Sequence, residues 1–182
     1  GRARFNAESA GAEVLAEARE ALLAVGDRET AAEAIVLLGE LAWIRGETEV
    51  ASRNIEDAAA LLEDAPSSRV KALVLGSLSR FWMIADRHEE AIRVGSEALR
   101  MAEELGLAEL QAHALDSIGA ARAAIGDLRG LRDLEQSIAI AVELNSLESV
   151  RGYVNLGTCL AELGDLERAF ELYAQGRQAA EG

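Results

Sequence analysis

"NLGTCLAELGDLERAFELY" spans Asn155–Tyr173. It is built from helix formers, yet it contains Gly157 and Gly164, and a glycine inside a helix costs about 1 kcal/mol. Close variants occur earlier as "SIGAARAAIGDLRGLRDLE" (Ser117–Glu135) and "LLGELAWIRGETEVASRNI" (Leu37–Ile55). Aligning them sets Gly39, Ser79, Gly119 and Gly157 in register. Gly46, Asp86, Gly126 and Gly164 follow seven residues later, and Ala51, Ala91, Leu131 and Ala169 twelve residues after the first set. The units are 40, 40 and 38 residues apart (39 to 79, 79 to 119, 119 to 157). A fixed period of roughly 20–50 residues marks an array of repeated structural units.

Each unit reads as two helices. The first carries apolar residues at i, i+3, i+4 and i+7 spacing: Ile35, Leu38, Leu41 and Ala42; Leu75, Leu78 and Trp82; Leu115, Ile118 and Ile125; Tyr153, Leu156, Leu160 and Leu163. Trp82 reads as a core residue. The first helix ends at "RGE", "ADR", "IGD" or "LGD". Glycine there takes the left-handed position past the helix end, and the acid that follows meets the next helix dipole. Second helices are expected over Val50–Glu63, Glu89–Leu105, Gly130–Leu144 and Leu166–Ala180.

The earlier glycine of each unit lets the two helices approach closely, with the alanine of the second helix opposite. A larger side chain would overpack that contact by roughly 1–3 kcal/mol, more than glycine costs in a helix. Leu131 replaces the alanine in the third unit, which predicts a looser contact there. The stretch Ala7–Asp27 has the rhythm of a second helix with no first helix before it. Residues 1–30 are therefore expected to hold an orphan helix of a preceding unit. Four units follow over 31–70, 71–110, 111–148 and 149–182, as one continuous domain. "GRARFN" at the start reads as the edge of a piece cut from a longer protein.

Composition limits the alternatives. Half of the residues are hydrophobic but only 4% are aromatic, so the core is built from Ala, Leu, Ile and Val, a diet that favours helix. The net charge of −14 repels phosphate backbones and anionic lipid, which argues against nucleic-acid and membrane partners. No apolar run approaches the roughly 20 residues of a membrane span. Cys159 is the only cysteine, so no intrachain disulfide and no cysteine metal cluster can form, which fits a reducing cytoplasm. Lys71 is the only lysine among 18 basic residues; with heavy alanine use, this is the usage of a GC-rich bacterial genome.

Paired helices with Leu-Gly, then Gly-Asp, then Ala at these intervals resemble the tetratricopeptide repeat (TPR). Leu156, Gly157, Gly164, Asp165, Ala169, Tyr173 and Gly176 carry the resemblance in the fourth unit. Leu38, Gly39, Gly46, Ala51, Ile55 and Ala58 carry it in the first, and Leu78, Ser79, Ala91, Ile92 and Ala98 in the second. The third matches at Ile118, Gly119, Gly126 and Asp127. The period near 40 exceeds the TPR's roughly 34, with the extra residues after the second helix. Such long periods resemble the TPR-like regions of large bacterial regulators of the LuxR/MalT type and ATPase-linked nucleotide cyclases. The resemblance implies an all-α, right-handed α-solenoid of about nine helices.

It also implies that the first helix of each unit lines a concave face. Counted along the repeat, that face takes Glu33, Val36, Glu40, Trp43 and Ile44; Leu73, Ser77, Arg80, Met83 and Ile84; His113, Asp116, Ser117 and Ala120; and Arg151, Val154, Asn155, Thr158 and Glu162. Of these, Glu40, Trp43, Arg80, Met83, His113, Asp116, Arg151, Asn155 and Thr158 are the candidate partner-binding residues, because Trp and Arg anchor interfaces and Arg can grip a carboxylate with two hydrogen bonds. His113 and Asp116 share one helix face and can form a hydrogen-bonded pair. With Ser117 they suggest a hydrolase triad, but one helix face is poor triad geometry and no oxyanion loop accompanies it. His88 is distant, so no zinc set is expected. "GDLRGLRDLE" lacks the lysine of a phosphate loop, and Cys159 reads as a small buried residue.

The expectation is therefore a non-enzymatic interaction module without metal or cofactor, binding a peptide or partner domain. An effector sensor and an oligomerising spacer are the alternatives. Uncapped ends should leave Val14, Leu15, Leu22, Phe170 and Leu172 partly exposed and favour self-association.

Overall fold

The computed structural model describes residues 11–181, and all regular structure among them is helical. The helices are α1 (Ala12–Ala24), α2 (Arg28–Ile44), α3 (Thr48–Leu61), α4 (Arg69–Ile84), α5 (His88–Glu104), α6 (Ala108–Ala124), α7 (Arg129–Glu143), α8 (Glu148–Glu162) and α9 (Leu166–Glu181). α1 packs on α2, and the pairs α2/α3, α4/α5, α6/α7 and α8/α9 follow. Successive first helices also touch: α2 meets α4, α4 meets α6, and α6 meets α8. The result is a TPR-like α-solenoid whose inner layer is α2, α4, α6 and α8. The expected orphan helix falls partly on residues 1–10, outside the described residues; α1 supplies the described part. Polar caps open α2 and α4, whereas α6 and α8 start after Leu107 and Leu147 without a side-chain cap. Asp27 accepts from the Thr30 N–H and Ser68 from the Lys71 N–H.

Helix ends follow the glycine pattern. Gly46, Gly126 and Gly164 have φ of +76°, +82° and +88°, and Asp86 takes the same place at +58°. At each, the following N–H bonds back to the carbonyl five residues earlier, as in Glu47 to Ala42 and Asp165 to Leu160, both 2.9 Å. Ile125 and Leu163, expected on the apolar face, instead stand at these ends and are exposed, because the helix stops just before them. α3 has no such glycine. Its end is held from outside: Arg28 donates to Leu61 O, its last carbonyl, and Lys71 Nζ to Glu63 O and Ala65 O just beyond, at 2.8 and 2.7 Å.

At the helix crossings the glycine meets a large side chain as well as the expected alanine, whose carbonyl would lie 3.3 Å from a Cβ on Gly39. A Cβ on Gly39 would lie 2.8 Å from the tip of Ile55, and one on Gly157 would lie 2.7 Å from the Tyr173 ring. The glycine makes room for a large residue one turn beyond the alanine. The second unit exchanges the roles: Ser79 sits on the first helix and Gly95 on the second, with Ser79 Oγ donating to Ala91 O at 2.8 Å. In the third unit, Leu131 does not loosen the contact. Gly130, one residue earlier, turns inward, and a Cβ there would meet Gly119 O at 2.3 Å. This is backbone against backbone, so the third crossing is among the tightest.

The core lies between the layers, with Val36, Ile55, Leu62, Val74, Phe81, Met101 and Ile118 in one cluster and Leu134, Leu156 and Leu160 in another. Phe81, not Trp82, is the buried aromatic. Trp82 is turned one position outward and half-buried, donates to Glu56 at 3.2 Å and lies under the Arg87 guanidinium, 4.3 Å from its ring centroid. Leu15 is buried against the array, whereas Val14 and Phe170 are exposed. Gly130→Ala is expected to lower stability by about 1–3 kcal/mol, because backbone cannot move aside. Gly39→Ala should cost less, since the Ile55 tip can rotate away. Urea unfolding midpoints compare the two, and equal losses would contradict this account of the crossing.

Candidate functional site on the inner helices

The nine candidate residues all fall on the inner layer: Glu40 and Trp43 on α2, Arg80 and Met83 on α4, His113 and Asp116 on α6, and Arg151, Asn155 and Thr158 on α8. They divide into two groups. Glu40, Trp43, Arg80 and Met83 are half-buried and Thr158 is exposed. His113, Asp116, Arg151 and Asn155 turn toward one another between α6 and α8.

Asp116 has no exposed surface, so it meets no partner in this conformation. Its Oδ2 accepts from Arg151 Nε at 2.7 Å and from Asn155 Nδ2 at 2.8 Å. Arg151 also donates to the His113 carbonyl at 3.0 Å and pairs with Glu148 at 3.2 Å. His113 Nδ1 lies 3.3 Å from Glu148 Oε2 and 3.2 Å from Arg151 Nη1. The imidazole is seated on Gly76 of α4, where a Cβ would come within 2.8 Å of the ring. Asp116 Oδ1 and His113 Nε2 are buried without a hydrogen-bond partner among the described residues.

Glu148 completes this network, and sequence reading missed it. It opens α8, and nothing in its local spacing distinguishes it from the many surface glutamates. Burial raises the pKa of its carboxyl, but the His113 hydrogen bond and the Arg151, His113 and Arg80 charges outweigh that and hold it at about 2. Burial, then repulsion from Arg151, lowers the pKa of Arg80, against the attraction of Glu148, Glu40 and Asp116. Arg80 makes no hydrogen bond or ion pair among the described residues; its guanidinium lies 5.8 Å from the Phe81 ring centroid. Trp43 meets the same ring edge-on at 5.7 Å.

Met83, Asn155 and Thr158 border a cavity of about 270 Å³ together with His88, Cys159 and Glu162. Cys159 is buried, and burial, with the Glu162 and Asp116 charges, pushes its thiol up to about 11. It is a packing residue rather than a nucleophile. Among the described residues, no group of three or more His, Cys, Asp or Glu is placed to hold a metal, and no helix is long and apolar enough to cross a membrane.

No protein-family model matches the chain, and no curated protein matches it in sequence. Solved structures share its fold. A Rap protein complexed with competence and sporulation factor superposes with a TM-score of 0.76 at 21% identity over 93% of this chain. This chain spans 48% of that protein, about half its length. Nearly identical TPR-like repeats of a kinesin light chain from Podosopora anserina give 0.66 at 16% identity, covering 98% of this chain and 89% of that one. A signal transduction ATPase with numerous domains from Pyrococcus horikoshii, which has a tetratricopeptide repeat sensor, gives 0.68 at 14% identity, covering 96% and 28%. These likenesses establish a TPR-like fold.

Removing one member of the buried pair should be costly. Arg151→Met is expected to destabilise by about 3–5 kcal/mol, because it strands the Asp116 charge, whereas Asp116→Leu with Arg151→Leu should recover most of the loss. Thermal unfolding of the single and double variants checks this. Glu148 ionises more readily in the folded chain than in the unfolded one. Its contribution is therefore complete above the ordinary carboxylate range and disappears as pH falls toward 2. Glu148→Gln should flatten stability between about pH 5 and 2 relative to the parent, as read from urea titrations at fixed pH.

Proposed function

We propose that the chain is a non-enzymatic interaction module that holds a peptide or partner domain along its concave face, within a larger regulatory protein. The observation that carries this is the contrast between the two groups of inner residues. The His113–Asp116–Arg151–Glu148 network fixes α6 against α8, while Arg80 lies beside it with no ion pair or hydrogen bond among the described residues. A guanidinium that is partly desolvated and unpaired gains most from an incoming carboxylate or carbonyl. Trp43, which packs on the same Phe81 ring, and Met83, one turn on along α4, supply apolar surface, as interface anchors do. That a similar fold was solved with a bound factor, and another as a sensor, supports the reading.

The test is selection of a displayed random dodecapeptide library on the immobilised chain. Peptides with an acidic residue beside an apolar one should be enriched, and Arg80→Glu should weaken them by about tenfold or more. Peptides retained equally by both forms would remove Arg80 from the site; no enrichment at all would count against a peptide groove.

A further inference from the structure

The outer layer is not built alike in each unit. In the third unit two polar contacts tie α7 to α6: Arg122 pairs with Asp133 at 2.6 Å, and the fully buried Ser137 donates to Ala112 O at 2.7 Å. One period of 40 residues earlier, the same places hold Trp82 with Arg93, and Glu97. Trp82 and Arg93 cannot form an ion pair, and an ionised carboxylate has no hydrogen to donate to a carbonyl. Neither contact is made, and a cavity of about 370 Å³ lies between α3 and α5 at this place. Leu75 and Leu78 of α4 form its floor, Val94 one wall and the small Ala59 and Ala60 the other. Trp82 and Lys71 lie at the two ends of the α4 stripe that lines it.

Lys71 is the unusual member. Its position ties down the end of the preceding second helix in each later unit. Gln111 does so through Ala102 O at 3.2 Å, and Ser149 through Ser146 O at 2.8 Å. Both are neutral, so that task needs donors and not charge. Lys71 performs it with two of its three N–H groups, on Glu63 O and Ala65 O. It is only 9% exposed, and it makes no ion pair among the described residues. Two carbonyls replace only part of the solvation that a buried ammonium gives up. One N–H and the charge are left to be met, at a side chain that lines the cavity.

Three glutamates also border the cavity, Glu56, Glu63 and Glu97, and on count alone they favour a cation. Glu56 is already held by Trp82 Nε1 at 3.2 Å and Arg87 at 3.5 Å. Glu63 and Glu97 are exposed, as is Arg93. Charges in water are screened within about 8 Å at physiological salt. A charge-assisted hydrogen bond to a buried ammonium is screened far less. The buried group therefore sets the sign of the ligand, and the apolar floor sets its body. Lys71 and Trp82 stand 11 residues apart on α4, about 16 Å of helix rise, which suits an unbranched chain of medium length.

We propose that the cavity between α3 and α5 binds a small apolar monocarboxylate. Its carboxylate accepts from the third Lys71 N–H, and its chain runs over Leu75 and Leu78 toward Trp82. This site is on the outer layer and shares no residue with the concave-face candidates, so either reading can fail alone. The test is titration calorimetry of the whole chain with decanoate, decanol and decylammonium, each below its micelle-forming concentration. Decanoate should bind at least about tenfold more tightly than the other two. Lys71→Gln copies Gln111, keeping a donor and removing the charge. With folding checked by circular dichroism, it should abolish the preference for decanoate. Ala60→Trp, at an exposed position that leaves the Lys71 hydrogen bonds in place, should weaken decanoate by about tenfold or more by filling the cavity. Equal binding of the three probes, a preference for decylammonium, or no binding at all would overturn the proposal. So would a decanoate preference that survives Lys71→Gln, or decanoate binding that Ala60→Trp leaves unchanged.

Discussion

Where the two helices of a unit cross, volume is conserved across the contact. Gly39 faces Ile55, Gly157 faces Tyr173 and Gly119 faces Leu134, while at Gly95 the small Ser79 is joined by the side chain of Ile118, which fills the space. A close-packed interior allows little else, because two large residues would clash and two small ones would leave a void. This exchange sets the spacing of the helices in each pair, and equal spacing lets the pairs nest along one axis. Nesting brings residues about one period apart into contact, so Arg151 reaches Asp116 across 35 residues of sequence.

That contact differs in kind from the rest of the core. The buried part of the junction between α2 and α4 is apolar, with the Arg69–Glu33 ion pair at 3.6 Å on its exposed edge, whereas α6 and α8 are joined by a buried carboxylate, two arginine contacts, an amide and an imidazole. A buried ion pair is weak support for stability, because desolvation consumes most of the Coulomb attraction. Its effect here is on register. If α8 slid one turn along α6, Asp116 would be left buried without donors. Apolar side chains tolerate such a shift more readily.

The fold was legible because the repeat concerns backbone geometry: glycines that end helices and residues small enough for a crossing leave a periodic trace. The exchange of Ser79 with Gly95 and the use of Gly130 in place of Leu131 were not legible. Each depends on how far one helix is rotated about its axis, and one residue of rotation turns a side chain by about 100°. The same rotation put Phe81, and not Trp82, in the core. At the candidate site the inner-helix positions could be counted, but not their pairing. Asp116 and Arg151 each read as a free polar group until the neighbouring helix is in place, and Glu148 carries no local mark.

α3 ends without a glycine; Arg28 from the preceding helix satisfies its last carbonyl, and Lys71 from the following one holds the carbonyls of Glu63 and Ala65 just past it. The end of this helix therefore has no autonomous stop. In a linear array where each unit couples mainly to its neighbours, local unfolding can begin anywhere and halt at any boundary. Here Lys71 spans the boundary between the first and second units, and Arg28 holds the α3 end within the first. Detachment of α2 or α4 exposes the α3 terminus to water at once, which ties α2, α3 and α4 into one cooperative block. The chain's single lysine thus acts as a rivet between units, and chemical acetylation of its amine would free the first pair to melt before the others.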